Sequence, residues 1–136
     1  MENPWDFNTT KVSPNKLYIL KFQLISEIAM GGPLSGNYVL EIDNKKITLP
    51  GSYGGPVIWN NFSSKVAIPK WTDNRLQKIS IIDIKKKKLL TSKRTFKVLE
   101  LKKFEGNIIK GIDSPIYKAL EFEFNLGEEN FDEKNI

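Results

Sequence analysis

GGPVIWNNFSSKVAIPKWTDNRLQKISIIDI, residues 54–84, decides how the rest of the chain is read. Val57-Ile58-Trp59, Val66-Ala67-Ile68 and the run from Ile79 to Ile84 are rich in β-branched and aromatic side chains, which suit a pleated surface better than a helix. Asn60-Asn61 and Thr72-Asp73-Asn74 separate them, and Asn and Asp favour turns because their short polar side chains bond the nearby backbone. The stretch therefore predicts a three-stranded β-meander. Trp59, within a strand, is expected in the core. Trp71 stands between Pro69-Lys70 and a turn, where an exposed aromatic would serve as a binding anchor.

Working back toward the N-terminus, Pro50-Gly51-Ser52-Tyr53-Gly54-Gly55-Pro56 reads as a flexible loop that exposes Tyr53. Lys46 to Leu49 pairs with Asn37 to Ile42 through the tight turn Asp43-Asn44, and Met30 to Gly36 is a further loop. From Leu17 to Ile28 the side chains Tyr18, Leu20, Phe22 and Leu24 alternate with polar or less buried neighbours, the period of two of a half-buried strand. Residues 1–15 carry Pro4 and Pro14 and predict an irregular arm, anchored by Trp5 and Phe7.

Toward the C-terminus, Lys85 to Lys88 is a run of four lysines between strand-like segments and predicts a solvated hairpin tip. Thr95 to Leu101 and Ile108 to Ile112 are the next strands. Leu120, Phe122, Phe124 and Leu126 alternate with Glu121, Glu123 and Asn125, giving a strand with one core face and one acidic face. Residues 128–136 are acidic with little to bury and predict a frayed tail. The sum is a single all-β domain over residues 1–127, an antiparallel β-sandwich of about nine or ten short strands with little or no helix.

Composition narrows the chemistry. There is no cysteine and no histidine among the 136 residues, which removes disulfides, thiolate nucleophiles, most hydrolase triads and most zinc or copper sites. The carboxylates stand singly, without a calcium loop, a phosphate loop or a dinucleotide fingerprint. The expectation is a non-enzymatic binding protein that needs neither cofactor nor metal. The N-terminal residues lack a secretory pattern and no apolar run approaches the roughly 20 residues of a membrane span, so a cytoplasmic location is expected. Net charge is +5 and polarised: residues 65–103 hold thirteen basic and three acidic side chains, whereas residues 121–136 hold one basic and six acidic. Such separation steers charged partners during encounter.

Met30-Gly31-Gly32-Pro33, Gly36-Asn37-Tyr38, Gly54-Gly55-Pro56, Trp59, Lys65-Val66-Ala67-Ile68-Pro69 with Trp71, and Ile81-Ile82-Asp83 together resemble small bacterial immunity proteins of the contact-dependent growth inhibition type. The resemblance implies a cytosolic, non-enzymatic protein that binds the C-terminal toxin domain of a polymorphic surface protein, often a ribonuclease or deoxyribonuclease, and neutralises it. No inhibitory motif transfers residue by residue. If the toxin is a nuclease, carboxylates that mimic phosphate are the natural contacts, which selects Glu121, Glu123, Glu128, Glu129, Asp132 and Glu133, with Asp73 beside Trp71 and with Tyr53 as a second aromatic anchor. Two other classes compete: a nucleic-acid-binding β-domain using the basic residues 65–103, and a carbohydrate-binding module stacking sugars on Tyr53, Trp71 and Trp5.

Overall fold

A computed structural model describes residues 2–136; Met1, the first residue of the expected arm, lies outside the described residues. It has twelve strands: β1 (Thr10–Val12), β2 (Ile19–Glu27), β3 (Leu34–Ile42), β4 (Lys45–Thr48), β5 (Ile58–Trp59), β6 (Lys65–Trp71), β7 (Gln77–Asp83), β8 (Lys88–Ser92), β9 (Leu99–Glu105), β10 (Ile108–Asp113), β11 (Leu120–Asn125) and β12 (Phe131–Asn135). They form three antiparallel sheets, ordered β1-β2-β3-β4, β12-β8-β7-β6-β5 and β11-β10-β9. Among the described residues no helix is long and apolar enough to cross a membrane.

The five-stranded sheet is the middle layer, and its sequence says why. Val66, Ile68, Ile82 and Leu89 point into one core with Leu20, Phe22, Tyr38 and Leu40 of the four-stranded sheet. Ala67, Ile79 and Ile81 point the other way, into a second core with Leu99, Leu101, Phe104, Ile109 and Phe124 of the three-stranded sheet. A strand covered on both faces needs apolar residues at successive positions rather than at alternate ones. The unbroken runs Val66-Ala67-Ile68 and Ile81-Ile82 meet that need. The outer sheets alternate because each has one solvated face.

The predicted meander is present as β5, β6 and β7. Asn60 organises its first turn: the buried side-chain Oδ1 accepts from the Ser64 and Lys65 amides at 2.9 and 3.1 Å, and Nδ2 donates to Ser64 Oγ at 2.8 Å. Thr72 organises the second, where its Oγ1 accepts from the Leu76 amide at 3.1 Å. Trp59 is in the core as expected and stacks on Tyr18 with ring centroids 6.1 Å apart. The lysine run forms the β7–β8 hairpin tip, where Asp83 Oδ1 accepts from the Lys86 amide at 3.2 Å.

Four expectations need correction. Tyr53 is fully buried: Ser52 to Gly54 runs between β3 and β6, with the Tyr53 amide and carbonyl bonded to Gly36 at 2.8 and 2.9 Å and the Gly54 amide bonded to Pro69 O at 2.9 Å. Trp71 is buried too, and its Nε1 donates to Leu34 O at 3.1 Å, so the ring is used in joining β6 to β3. Residues 128–136 are no frayed tail: β12 pairs with β8 over five residues, Phe131 packs on the second core and Ile136 on the first. Thr95 to Val98 is irregular, and the strand predicted there starts at Leu99, because Asp113 Oδ1 captures the amides of Lys97 and Val98 at 3.0 and 3.1 Å.

The N-terminal arm is also more regular than its prolines suggest. Thr10–Val12 pairs with Lys21 to Ile19 of β2. Phe7 enters the first core edge-on to Phe22, and Trp5 Nε1 donates to Gly31 O at 3.1 Å. β3 begins at Leu34, three residues before the predicted start, and carries Gly36 inside the strand. A Cβ there would lie 2.1 Å from Gln23 O, so only glycine allows β2 and β3 to approach at this point.

Candidate binding face

The three-stranded sheet covers the second core with one face and presents the other to solvent. Leu99, Leu101, Phe104, Ile109 and Phe124 are buried inward. The outward residues follow from the register. Lys110 lies opposite Lys103 on one side and Glu123 on the other, and Ile112 lies opposite Glu100 and Glu121. An irregularity between Lys110 and Gly111 sets Lys102 out of the ladder, so two successive lysines reach the same surface. Gly111 keeps that surface close-packed, since a Cβ there would stand 2.6 Å from Glu100 O.

The result is an open depression of about 620 Å³ lined by Lys102, Lys103, Lys110, Ile112, Glu121, Phe122 and Glu123. One ion pair here crosses from β10 to β11 and a second lies along β9. Lys110 Nζ is 3.3 Å from Glu123 Oε1, and Lys102 Nζ is 2.7 Å from Glu100 Oε2. Of the two, the exposed Lys110–Glu123 pair adds little stability, about 0–1 kcal/mol, and the other holds the buried Glu100. They do hold charged groups in a fixed pattern. Beside the depression Arg94 lies over the Phe96 ring at 4.9 Å and within 3.6 Å of Glu129, fixing the sequence after β11 to the sheet.

Ile112 also lines a second depression of about 420 Å³, with Asn3, Trp5, Glu100, Pro115 and Ile116. The loop joining β10 to β11 exposes Ile116 and Tyr117 there, followed by Leu120 at the start of β11. The sheet surface thus passes from a row of charges to an apolar end. That is the usual make-up of a protein-recognition surface, apolar anchors beside polar groups that fix orientation.

The residues selected from sequence separate into several places. Glu121 and Glu123 line the charged depression, Glu128 and Glu129 follow in the turn after β11, and Asp132 and Glu133 lie on β12, Glu133 paired with Lys88. Asp73 is exposed in the β6–β7 turn. Tyr53 and Trp71 belong to the core and touch no surface that a partner could reach. Sequence reasoning placed Lys102 and Lys103 in the basic segment 65–103 without joining them to Glu121 and Glu123, and missed Lys110 and Ile112 as members of the face. The alternation of Ile108, Lys110 and Ile112 was the available signal, and only the register of β10 between β9 and β11 turns it into a shared surface. Among the described residues no three acidic side chains gather closely enough to hold a metal ion.

Comparison with known proteins finds no match: no family model, no curated protein and no solved structure is significantly similar to the chain.

Proposed function

We propose that the protein is an immunity protein that binds and neutralises a cognate toxin domain, a nuclease in the first instance, by protein–protein contact in the cytoplasm, without catalysis and without a cofactor. The observation that carries this reading is the outer face of β9, β10 and β11, where Glu121 and Glu123 stand in a fixed pattern with Lys102, Lys103 and Lys110 and adjoin an apolar end at Ile112 and Ile116. The resemblance supplies the class of partner. Of its residues, Trp59, Val66, Ala67, Ile68 and Trp71 are buried in the frame beneath this face, whereas Met30 and Gly31 of the first Gly-Gly-Pro loop are exposed.

Nucleic-acid binding by residues 65–103 is the alternative reading. Their basic side chains fall at separate places, Lys85 to Lys87 at a hairpin tip and Lys102 and Lys103 on the β9 face, and the latter share their surface with carboxylates. A continuous positive track would suit a phosphate backbone better. The carbohydrate reading loses two of its three platforms, because Tyr53 and Trp71 are buried and Trp5 alone remains part-exposed.

The test is co-expression with the open reading frame immediately upstream in the genome. Growth rescue together with a complex that co-purifies is expected, and the double substitution E121K/E123K should abolish rescue while leaving the circular dichroism spectrum unchanged. Rescue by the double variant at wild-type level would remove the proposed face, and absence of both rescue and complex would overturn the toxin reading.

A further inference from the structure

At one end of the molecule four turns are tied to one another in a ring. The β1–β2 turn is joined to the β5–β6 turn by the Asn15 amide, which donates to Ser63 Oγ at 2.9 Å. The β5–β6 turn is joined to the β7–β8 hairpin tip by the Ile84 amide, which donates to Ser64 O at 3.0 Å. That tip reaches the β3–β4 turn, where Lys87 Nζ is 4.0 Å from Asp43 Oδ2. The ring closes around a depression of about 290 Å³ lined by Leu17 of the first turn and by Asp43, Asn44, Lys45 and Lys46 of the last. Lys16, Asp43, Asn44, Ser63 and Lys87 all have positive φ, between 50° and 64°, so every turn of the ring reverses tightly.

Among the described residues these turns carry six exposed lysines, Lys16, Lys45, Lys46, Lys85, Lys86 and Lys87, against one exposed carboxylate, Asp43. Glu41 also lines the depression but is part-buried and taken by Lys21 at 2.8 Å, and Asp83 is buried with its Oδ1 on the Lys86 amide. Two large apolar side chains stand on the same turns, Leu17 and Phe62, at 69% and 72% exposure. Neither is exposed through looseness of the chain. Asn15 Oδ1 accepts from the Leu17 amide at 3.0 Å, and Phe62 lies inside the turn that the buried Asn60 side chain organises.

We propose that this ring is a docking surface for an anionic lipid bilayer, with Leu17 and Phe62 entering the headgroup region and the six lysines set against the lipid phosphates. Each lysine near such a surface adds to the attraction, and apolar side chains at the tips add insertion. The complementarity is one of bulk charge. All six cations are lysines, compact point charges, whereas the two arginines, whose planar fork suits patterned nucleic-acid contacts, lie elsewhere: Arg75 in the β6–β7 turn and Arg94 over Phe96. Leu17 has no ring on which a base could stack, yet it has a use in a bilayer interface. The ring shares no residue with the β9–β11 face and is independent of the toxin reading.

The test is flotation of the full chain with vesicles of phosphatidylcholine alone and of phosphatidylcholine mixed with phosphatidylglycerol, over a range of sodium chloride concentrations. Binding to the mixed vesicles alone is expected, falling as salt rises. Replacing Lys85, Lys86 and Lys87 together with glutamine should weaken it about a hundredfold, about fivefold for each charge. Phe62→Ser should weaken it about tenfold, and Leu17→Ser, on a different turn, repeats that measurement if the first variant loses its fold by circular dichroism. Lys97→Gln, outside the ring, should change it by less than about twofold. Absence of binding to the mixed vesicles would overturn the proposal. So would binding that neither serine variant weakens, which is charge attraction without insertion, and so would tighter binding to a DNA duplex than to the vesicles at the same salt, which would assign the ring to nucleic acid.

Discussion

Replacing Phe131 with alanine tests whether the C-terminal residues are a structural strand. Phe131 is half-buried, packs on the second core and meets Phe124 edge-on with ring centroids 6.0 Å apart. Full burial of a phenylalanine contributes about 1.5–3 kcal/mol, so a half-buried one contributes about 1 kcal/mol. The aromatic pair adds about 0.5–1.5 kcal/mol. The sum, about 2 kcal/mol, corresponds to a fall in Tm of roughly 6–10 °C for a domain of this size. Chemical denaturation and calorimetry would read it directly. Hydrogen exchange supplies a second, local reading, because the Lys93 amide donates to Asn130 O and the Ile136 amide to Lys87 O, both at 3.0 Å. Both amides should be protected in the wild-type chain. An unchanged Tm in F131A together with open-chain exchange at Lys93 would refute the assignment of β12.

Gly36→Ala should destabilise by about 3 kcal/mol or more, because the new Cβ would lie 2.1 Å from Gln23 O and 2.8 Å from the Phe22 ring; soluble yield and urea midpoint would show it. Gln77→Ala removes the Oε1 that accepts from the buried Leu99 amide at 2.5 Å, and leaving that donor unpaired costs about 1–3 kcal/mol by urea denaturation. Burial pushes the Tyr53 phenol up to about 12 from its ordinary 10. Since the folded chain favours the neutral phenol, its contribution to stability is whole below pH 10 and is lost as pH rises from 10 toward 12. Tyr53→Phe should flatten that part of the curve of stability against pH. Lys70 runs the other way. Its folded value is lowered by burial, so charging it costs stability that is regained as pH rises through that value, and Lys70→Met should stabilise the chain at neutral pH.

The strands with a clear hydrophobic pattern were legible in the sequence. Alternation revealed β2 and β11, and the unbroken apolar runs revealed β6 and β7, although their two-sided burial follows only once both outer sheets are in place. β1 and β12 were not legible, because Thr10-Lys11-Val12 and Phe131-Asp132-Glu133-Lys134-Asn135 are edge strands with mostly polar side chains, held by backbone bonds to a neighbour distant in sequence. Tyr53 and Trp71 were misplaced for a related reason. Their local surroundings, a glycine-rich loop and a turn, suggested exposure, whereas contacts with Gly36 and Leu34 bury them. Of the candidate face, the carboxylates of β11 were visible and their lysine partners were not, since a cross-strand pair exists only in the register.

The Ser52 to Gly54 segment has a consequence for how the molecule comes together and apart. It bonds β3 on one side and β6 on the other, and Gly36, Tyr53 and Lys70 are nearly evenly spaced along the chain. The neighbouring hairpins can each form from local contacts, but this seam closes only when both are present, since each of its sides spans a loop whose closure entropy must be met first. It is a latch between the four-stranded and the five-stranded sheet, which share the first core. Loosening it should let the first core open as a unit while the second, on the far side of the middle sheet, stays shut, so the face built on β9 to β11 would outlast the seam.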